Sequence, residues 1–140
     1  HQEVTTESDD NRIVVLCVDD SVMMRRTYEK RLASLNYDVI TAEDGEAALD
    51  YLAEATRPPD FVFTDLEMPN MNGFDFIANM RRLPAMADVP TVVVSSRDGE
   101  KHRAEARRVG ATDFMAKGSN SAEGMQALIQ RYLDTPAMAS

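Results

Sequence analysis

The chain has 140 residues, of which 44% are apolar and 28% are charged, and its formal net charge is −9. This composition favours one globular domain of ordinary size and argues against a disordered chain. The acidic balance also argues against a protein that binds nucleic acid or an anionic membrane with its whole surface, and it suits a cation site or a basic partner.

The two ends of the chain are expected to lie outside the folded domain. Residues 1–11 are polar and begin with His1 rather than Met, so we interpret them as a disordered tail or linker of a longer protein. Residues 135–140 should fray, which leaves one domain over 12–134. No apolar segment approaches bilayer length and no secretory signal is visible, so we expect a cytoplasmic protein without a membrane partner.

Five apolar runs alternate with five helical patterns along the chain. Their length and β-branched residues predict strands at about 13–18, 38–41, 61–64, 90–94 and 112–116. Apolar residues at three- and four-residue steps predict helices at about 22–35, 45–55, 74–82, 98–109 and 121–133. The run 13–18 contains the single cysteine, Cys17, which excludes an internal disulfide and reads as a small buried hydrophobe.

Several residues mark the helix ends and inner faces. Ser21 is a plausible N-cap of the first helix, and Gly110 is well placed to end the fourth. Val22 and Met23 are assigned to the apolar stripe of the first helix, and Ala53 to that of the second.

The alternation of buried strands with helices predicts an α/β fold: a single doubly wound (βα)5 parallel sheet with right-handed crossovers. With strand order 2-1-3-4-5, the first and third strands are neighbours where the order reverses. Ligands of such sheets bind in the crevice outside the carboxyl ends of the strands.

Polar side chains stand at these strand ends. Asp19 and Asp20 follow the first strand, Asp65 the third, Ser95 the fourth and Lys117 the fifth. Each one alone is commonly a helix cap or a solvated side chain. Together, three acids need a neutralising cation, and carboxylates with water and a carbonyl oxygen are the ligands that Mg²⁺ prefers. The amine of Lys117 and the hydroxyl of Ser95, placed beside these acids, suit phosphoryl transfer.

These residues resemble the response-regulator receiver domain, which has the CheY-like, flavodoxin-like fold. The resemblance covers about 12–133 and rests on four features: Asp19-Asp20-Ser21, the motif from Asp65 through Met68-Pro69 and Met71 to Gly73, Ser95 after an all-valine strand, and Lys117. It implies that Asp65 takes a phosphoryl group from a phosphohistidine on a histidine kinase or phosphotransfer domain. Such a domain is not a classical enzyme, because it catalyses only its own phosphorylation and dephosphorylation.

The resemblance also implies the metal ligands. Asp20 and Asp65 would bind Mg²⁺ directly, together with the main-chain carbonyl of Glu67, while Asp19 would act largely through water.

The remaining roles concern the phosphoryl group and the switch. Lys117 would pair with the phosphoryl oxygens, and Ser95 would hydrogen-bond one of them and move on phosphorylation. Phe114 occupies the aromatic switch position. The output partner would bind the face formed by the fourth helix, fifth strand and fifth helix.

Two residues depart from the family pattern. Gly118 stands where a proline usually follows the lysine, so the Lys117 loop is expected to be looser or differently bonded. Ser96 replaces the small residue usual after the switch hydroxyl. Neither change removes a reacting group, so we expect a competent receiver.

The segments 96–103 and 116–119 resemble the receiver at the C-terminus of hybrid chemotaxis-type (CheA-like) histidine kinases, in which Gly-Ser often follows the lysine. Residues 3–11 would then be the linker from the kinase body. A free-standing response regulator remains the alternative.

One pair of charges suggests control of the phosphoryl lifetime. Glu67 and Arg97 each lie two residues beyond a site residue, and an ion pair between them would restrict hydrolytic water. Two solvated side chains are the alternative. His102, on the polar fourth helix, is interpreted as a surface residue.

Three other function classes compete with the receiver. An aspartyl-phosphate phosphatase usually carries a second aspartate two residues after its nucleophile, where this chain has Glu67. An FMN carrier needs a Ser-, Thr- and Gly-rich loop after the first strand, which is lacking here. A docking module that acts without phosphorylation does not require three acids at the strand ends, so their presence argues against this class.

Overall fold

A parallel five-stranded sheet forms the centre of the protein, seen in a computed structural model that describes residues 12–96 and 99–133. The strand order is β2-β1-β3-β4-β5, as predicted. The strands are β1 Val14–Val18, β2 Asp38–Ala42, β3 Phe61–Asp65, β4 Thr91–Ser95 and β5 Asp113–Ala116. Asp65 and Ser95 are therefore the last residues of their strands rather than the residues that follow them.

A helix follows each strand. The helices are α1 Val22–Ala33, α2 Gly45–Glu54, α3 Gly73–Met80, α4 Glu100–Val109 and α5 Ala122–Leu133. Ser21 caps α1 by accepting a hydrogen bond from the Met24 N–H, and Gly110 ends α4 with a φ of 108°, a left-handed conformation that favours glycine. Both assignments confirm the sequence prediction. Asp98, predicted at the start of the fourth helix, lies outside the described residues, as do Arg97, 1–11 and 134–140.

The helices cover the two faces of the sheet and bury a separate core on each. On one face α2, α3 and α4 pack against the sheet, where Phe76, Ile77 and Met80 are fully buried. On the other face α1 and α5 supply Tyr28, Leu32, Met125 and Ile129. Both faces of the central strands are thus removed from water, which explains their continuous apolar sequence.

Some burial predictions were wrong. The edge strand β2 is only half-buried over most of its length, because it has a neighbour on one side only. Val22 and Met23 are 51% and 75% exposed, since they lie six and five residues before Tyr28 and therefore outside the face of α1 that carries its buried residues. Ala53 is also exposed, whereas Ala48 is the fully buried residue of α2. Within the described residues, no helix has the length and apolar character needed to cross a membrane.

Candidate functional site

Three carboxylates meet where β1 and β3 end side by side. β1 pairs with β3 in a register that places Val18 opposite Thr64, so Asp19 and Asp65 follow as neighbours. One oxygen of each of Asp19, Asp20 and Asp65 lies within 4.8 Å of the others. Asp19 and Asp65 are buried and Asp20 is exposed, so the cluster opens to solvent on the Asp20 side.

Asp19 is held at two atoms by the start of α1. Its Oδ1 accepts a hydrogen bond from the Ser21 N–H at 2.9 Å, and its backbone carbonyl accepts one from Arg25 Nη1 at 2.8 Å. Its Oδ2 is buried and has no hydrogen-bond partner among the described residues. Lys117 Nζ approaches that oxygen only to 3.8 Å.

Asp65 is oriented by its own loop and by Lys117. Its Oδ1 accepts a hydrogen bond from the Leu66 N–H at 2.7 Å, and its Oδ2 lies 3.4 Å from Lys117 Nζ. Lys117 follows β5, on the far side of β4, so it reaches the acids across a strand. Its ammonium group supplies one positive charge to two buried carboxylates.

Burial raises the pKa of both Asp19 and Asp65. Desolvation is the largest cause that raises the pKa of Asp65 above its ordinary value; the nearby Asp19 raises it further, and Lys117 opposes both. Desolvation also raises the pKa of Asp19, against the opposing effects of the Ser21 N–H and Lys117. The ionised forms are therefore disfavoured until a cation neutralises them.

The residues present fit a hard cation. Three carboxylates converge, one is open to solvent, and one buried oxygen lacks a hydrogen-bond donor within the described chain. Oxygen-only ligand sets of this kind suit divalent cations such as Mg²⁺ or Ca²⁺. The cluster can accordingly hold a metal ion.

The loop after β3 runs so close to the strand that it requires a glycine. The Gly73 N–H donates to the Leu66 carbonyl at 2.7 Å, and a Cβ at residue 73 would lie 2.4 Å from the backbone oxygen of Asp65. Asn70 adopts a positive φ of 70° and donates from Nδ2 to Asp44 at the start of α2, at 2.9 Å. Sequence reasoning missed this Asn70–Asp44 bond, for which the only local signal is an asparagine within a turn.

The other predicted residues take the following places. Ser95 is buried at the end of β4, next to β3. Phe114 lies half-buried on β5, with the Arg103 guanidinium carbon 4.8 Å from its ring centroid. Glu67 is exposed beyond Asp65, while Arg97 lies outside the described residues, so their ion pair stays a prediction. His102, predicted at the surface, is half-buried.

The raised pKa values predict how stability depends on pH in a chelating buffer. Because folding raises the pKa of Asp19 above its ordinary value of 3.8, the folded state binds its proton more tightly than the unfolded state does. The free energy of unfolding should therefore fall as pH rises through and above that value. Asp19→Asn keeps an acceptor for the Ser21 N–H and removes the charge, so we expect it to stabilise the metal-free protein by about 1–2 kcal/mol at neutral pH.

Urea unfolding of both proteins at pH 4 and pH 7.5 checks this expectation. The difference in free energy of unfolding between Asp19→Asn and the wild type should shrink toward pH 4 and also on adding Mg²⁺. A difference that grows at low pH would contradict the expected effect of the Asp19 charge.

Comparison with known proteins agrees with this geometry. The profile of the response regulator receiver domain matches residues 15–129. Protein PilG of Pseudomonas aeruginosa is 33% identical over 122 residues, which cover 87% of this chain and 89% of PilG. Chemotaxis protein CheY4 of Vibrio cholerae superposes with a TM-score of 0.81 at 30% identity, over 86% of this chain and 98% of CheY4.

The chain matches only part of some larger relatives. The sensor histidine kinase CheAY of Helicobacter pylori is 28% identical over 120 residues, which cover 86% of this chain and 15% of that kinase. The gliding motility regulatory protein of Myxococcus xanthus is likewise matched over 15% of its length. The profile match, the strand order and the site geometry together show that the chain belongs to the response regulator receiver family and is a receiver domain of two-component signal transduction.

Proposed function

We propose that this receiver accepts a phosphoryl group on Asp65 from a phosphohistidine, with Mg²⁺ as cofactor. The observation that carries the proposal is the position of Asp65: a buried carboxylate, 3.4 Å from Lys117 and within 4.8 Å of two further acids. A carboxylate in this setting has an amine on one side for the phosphoryl oxygens and acids on the other for a cation.

The chemistry follows from these contacts. An Asp65 oxygen forms the new bond to phosphorus while the N–P bond of the phosphohistidine breaks, and the imidazole nitrogen keeps that electron pair. The Leu66 N–H holds the carboxylate in orientation, and Lys117 neutralises charge on the phosphoryl oxygens. Asp20, Asp65 and the Glu67 carbonyl would hold Mg²⁺, with Asp19 acting largely through water. When bound, the metal offsets the negative charge of acceptor and phosphoryl group together.

The conformational change would pass from Ser95 to the surface formed by α4, β5 and α5. Ser95 is buried at the end of the strand beside Asp65, within reach of a group attached there. A hydrogen bond from its hydroxyl to the phosphoryl group would draw the end of β4 toward the site. Phe114, on the adjoining β5, would then change its packing, and the face formed by α4, β5 and α5 would bind the output partner.

The phosphodonor is a histidine kinase or a phosphotransfer domain. Val22 and Met23 support docking of a donor protein beside the site, because these exposed apolar residues begin α1 two residues after Asp20, the solvent-exposed member of the acid cluster. The likeness to CheAY supports a place within a hybrid chemotaxis-type kinase, and the match to 89% of PilG supports a free-standing regulator.

Glu67 and Arg97 are proposed to flank the phosphoryl group and slow its hydrolysis. Single alanine variants should shorten the phosphoryl lifetime, measured by loss of the adduct after the donor is removed. Unchanged lifetimes in both variants would reject this role.

The main test is incubation with acetyl phosphate and Mg²⁺, followed by intact mass spectrometry, with Asp65→Ala alongside. We expect one phosphoryl group in the wild-type protein, no gain with chelator, and none in Asp65→Ala. Asp60→Ala, an acid at the opposite end of the sheet, is the matched control and should be labelled normally. A phosphoryl gain in Asp65→Ala equal to wild type would exclude Asp65 as the acceptor. No gain in the wild type despite Mg²⁺ binding would favour a docking module.

A further inference from the structure

The loop that carries Lys117 runs from the end of β5 to the buried residue Asn120. Residues 117–119 form a single 3₁₀ turn in which Gly118 and Ser119 are exposed. No atom lies within 4 Å of the position a Cβ would take at Gly118. The next residue, Asn120, is buried. The pairing of Ala116 with Ser95 fixes the chain before Lys117. A glycine in such an open turn leaves the backbone after Lys117 wide conformational freedom, so the path of the turn also depends on what holds Asn120.

Asn120 is held by the helix on the opposite side of the site. Arg31 Nη1, on α1, donates a hydrogen bond to the Asn120 backbone carbonyl, across 89 positions of sequence. A guanidinium donor makes this a charge-assisted bond, and it is partly shielded from water. It ties the Lys117 loop to α1.

The Asn120 side chain lies beside Tyr28, one turn before Arg31 on the same helix. Tyr28 is fully buried with its ring 6.2 Å from that of Phe63, and burial raises the pKa of its hydroxyl, which therefore stays protonated. The neighbouring Asn120 amide opposes that shift. Among the described residues the Tyr28 hydroxyl and Asn120 Nδ2 have no hydrogen-bond partner, so Tyr28 contributes packing and Arg31 contributes the directed hydrogen bond.

The same helix also holds the acid side of the site. Arg25 donates to the Asp19 carbonyl at 2.8 Å, while Arg31 donates to the Asn120 carbonyl. Through these two arginines, α1 fixes the separation of the two loops whose side chains, Asp19 and Lys117, face each other at 3.8 Å. A rigid helix bonded to both loops sets this spacing more tightly than the Lys117 turn could by itself.

We propose that Arg31 is a positioning residue for phosphoryl transfer: by clamping Asn120 it holds Lys117 against Asp65. This role rests on the proposed function of Asp65 and adds a residue outside the acid cluster. Loss of the Arg31–Asn120 hydrogen bond should leave the fold and the metal ligands in place, while Lys117 samples positions away from Asp65. A displacement of this kind slows a step that depends on precise orientation.

The test compares Arg31→Met with Arg31→Lys, which keeps a cationic donor, and with Arg26→Met, which removes an exposed arginine of the same helix. The rate of phosphorylation by acetyl phosphate with Mg²⁺ is measured for each variant in the wild-type and Lys117→Met backgrounds. We expect Arg31→Met to slow the reaction about five-fold, Arg31→Lys to recover part of that loss, and Arg26→Met to have no effect. In the Lys117→Met background, Arg31→Met should add no further loss.

Two results would overturn the inference. One is an unchanged rate in Arg31→Met; the other is the same slowing with and without Lys117, which would show an effect on the fold rather than on the lysine. Thermal unfolding checks that each variant is folded at the assay temperature. Tyr28→Phe keeps the packed ring and removes only a hydroxyl without a hydrogen-bond partner among the described residues, so this second variant should react at the wild-type rate. A wild-type protein that accepts no phosphoryl group would instead reject the proposed function itself.

Discussion

Replacing Lys117 with methionine should slow phosphorylation of Asp65 by about 100-fold, the order of magnitude lost when one preorganised donor to a developing anion is removed. The wild-type ammonium lies 3.4 Å from Asp65 and 3.8 Å from Asp19. Without it, the pKa of Asp65 should rise further, because Lys117 is the nearby charge that opposes the effects of burial and of Asp19. A smaller fraction of the acceptor is then ionised, and the phosphoryl oxygens lose their counter-charge.

The affinity for Mg²⁺ separates this effect from a damaged site. Since Lys117→Met removes a positive charge beside three acids, Mg²⁺ should bind at least as tightly as in the wild type, while the rate with acetyl phosphate falls. Lys30→Met, an exposed lysine on α1, is the matched control and should keep the wild-type rate. Equal rates for Lys117→Met and Lys30→Met would remove Lys117 from the mechanism.

Gly73→Ala should be among the most damaging single changes to the fold. The new Cβ would lie 2.4 Å from the Asp65 carbonyl oxygen and 3.0 Å from Leu66 Cα, both backbone atoms that cannot rotate away. Alanine is otherwise favoured over glycine in a helix, so any decrease in the free energy of unfolding reports the forced displacement of the loop. We expect a loss of about 3 kcal/mol or more in the free energy of unfolding.

The matched control is Gly118→Ala, the same chemical change at an exposed glycine with open space around it. It should alter the free energy of unfolding by less than about 0.5 kcal/mol. Urea denaturation of the two variants measures both free energies of unfolding. Similar small changes in the two variants would contradict the close contact at Gly73. Because Asp65 moves with this loop, the residual folded fraction of Gly73→Ala should also be phosphorylated more slowly.

The element order and the strand-end residues could be predicted from the sequence because each rests on local information. A buried parallel strand has a continuous apolar run such as 61–64, and a helix has its apolar residues three and four positions apart. The parallel sheet then places the polar residues that follow neighbouring strands at one edge. For this reason the sequence places Asp19, Asp65 and Lys117 at the same edge of the sheet.

Burial of individual side chains was less predictable. Val22 and Met23 are exposed because they lie six and five residues before Tyr28, which places them outside the face of α1 that carries the buried Tyr28 and Leu32. β2 is half-buried for a different reason: its sequence resembles that of a central strand, but its place at the edge is a property of the whole sheet.

The fold class, the strand ends and the residue types that carry the chemistry can be inferred from the amino-acid sequence, because these follow from periodicity and from the order of elements along the chain. Four features emerge only in the folded chain: the distances between Lys117 and the acids, the buried Asp19 Oδ2 without a hydrogen-bond partner among the described residues, the close approach at Gly73 and the bond from Arg31 to Asn120. Each of these joins residues far apart in sequence or depends on how tightly two backbones pack. No local pattern of residues records such contacts, so the site's chemical groups could be predicted but not the framework that positions them.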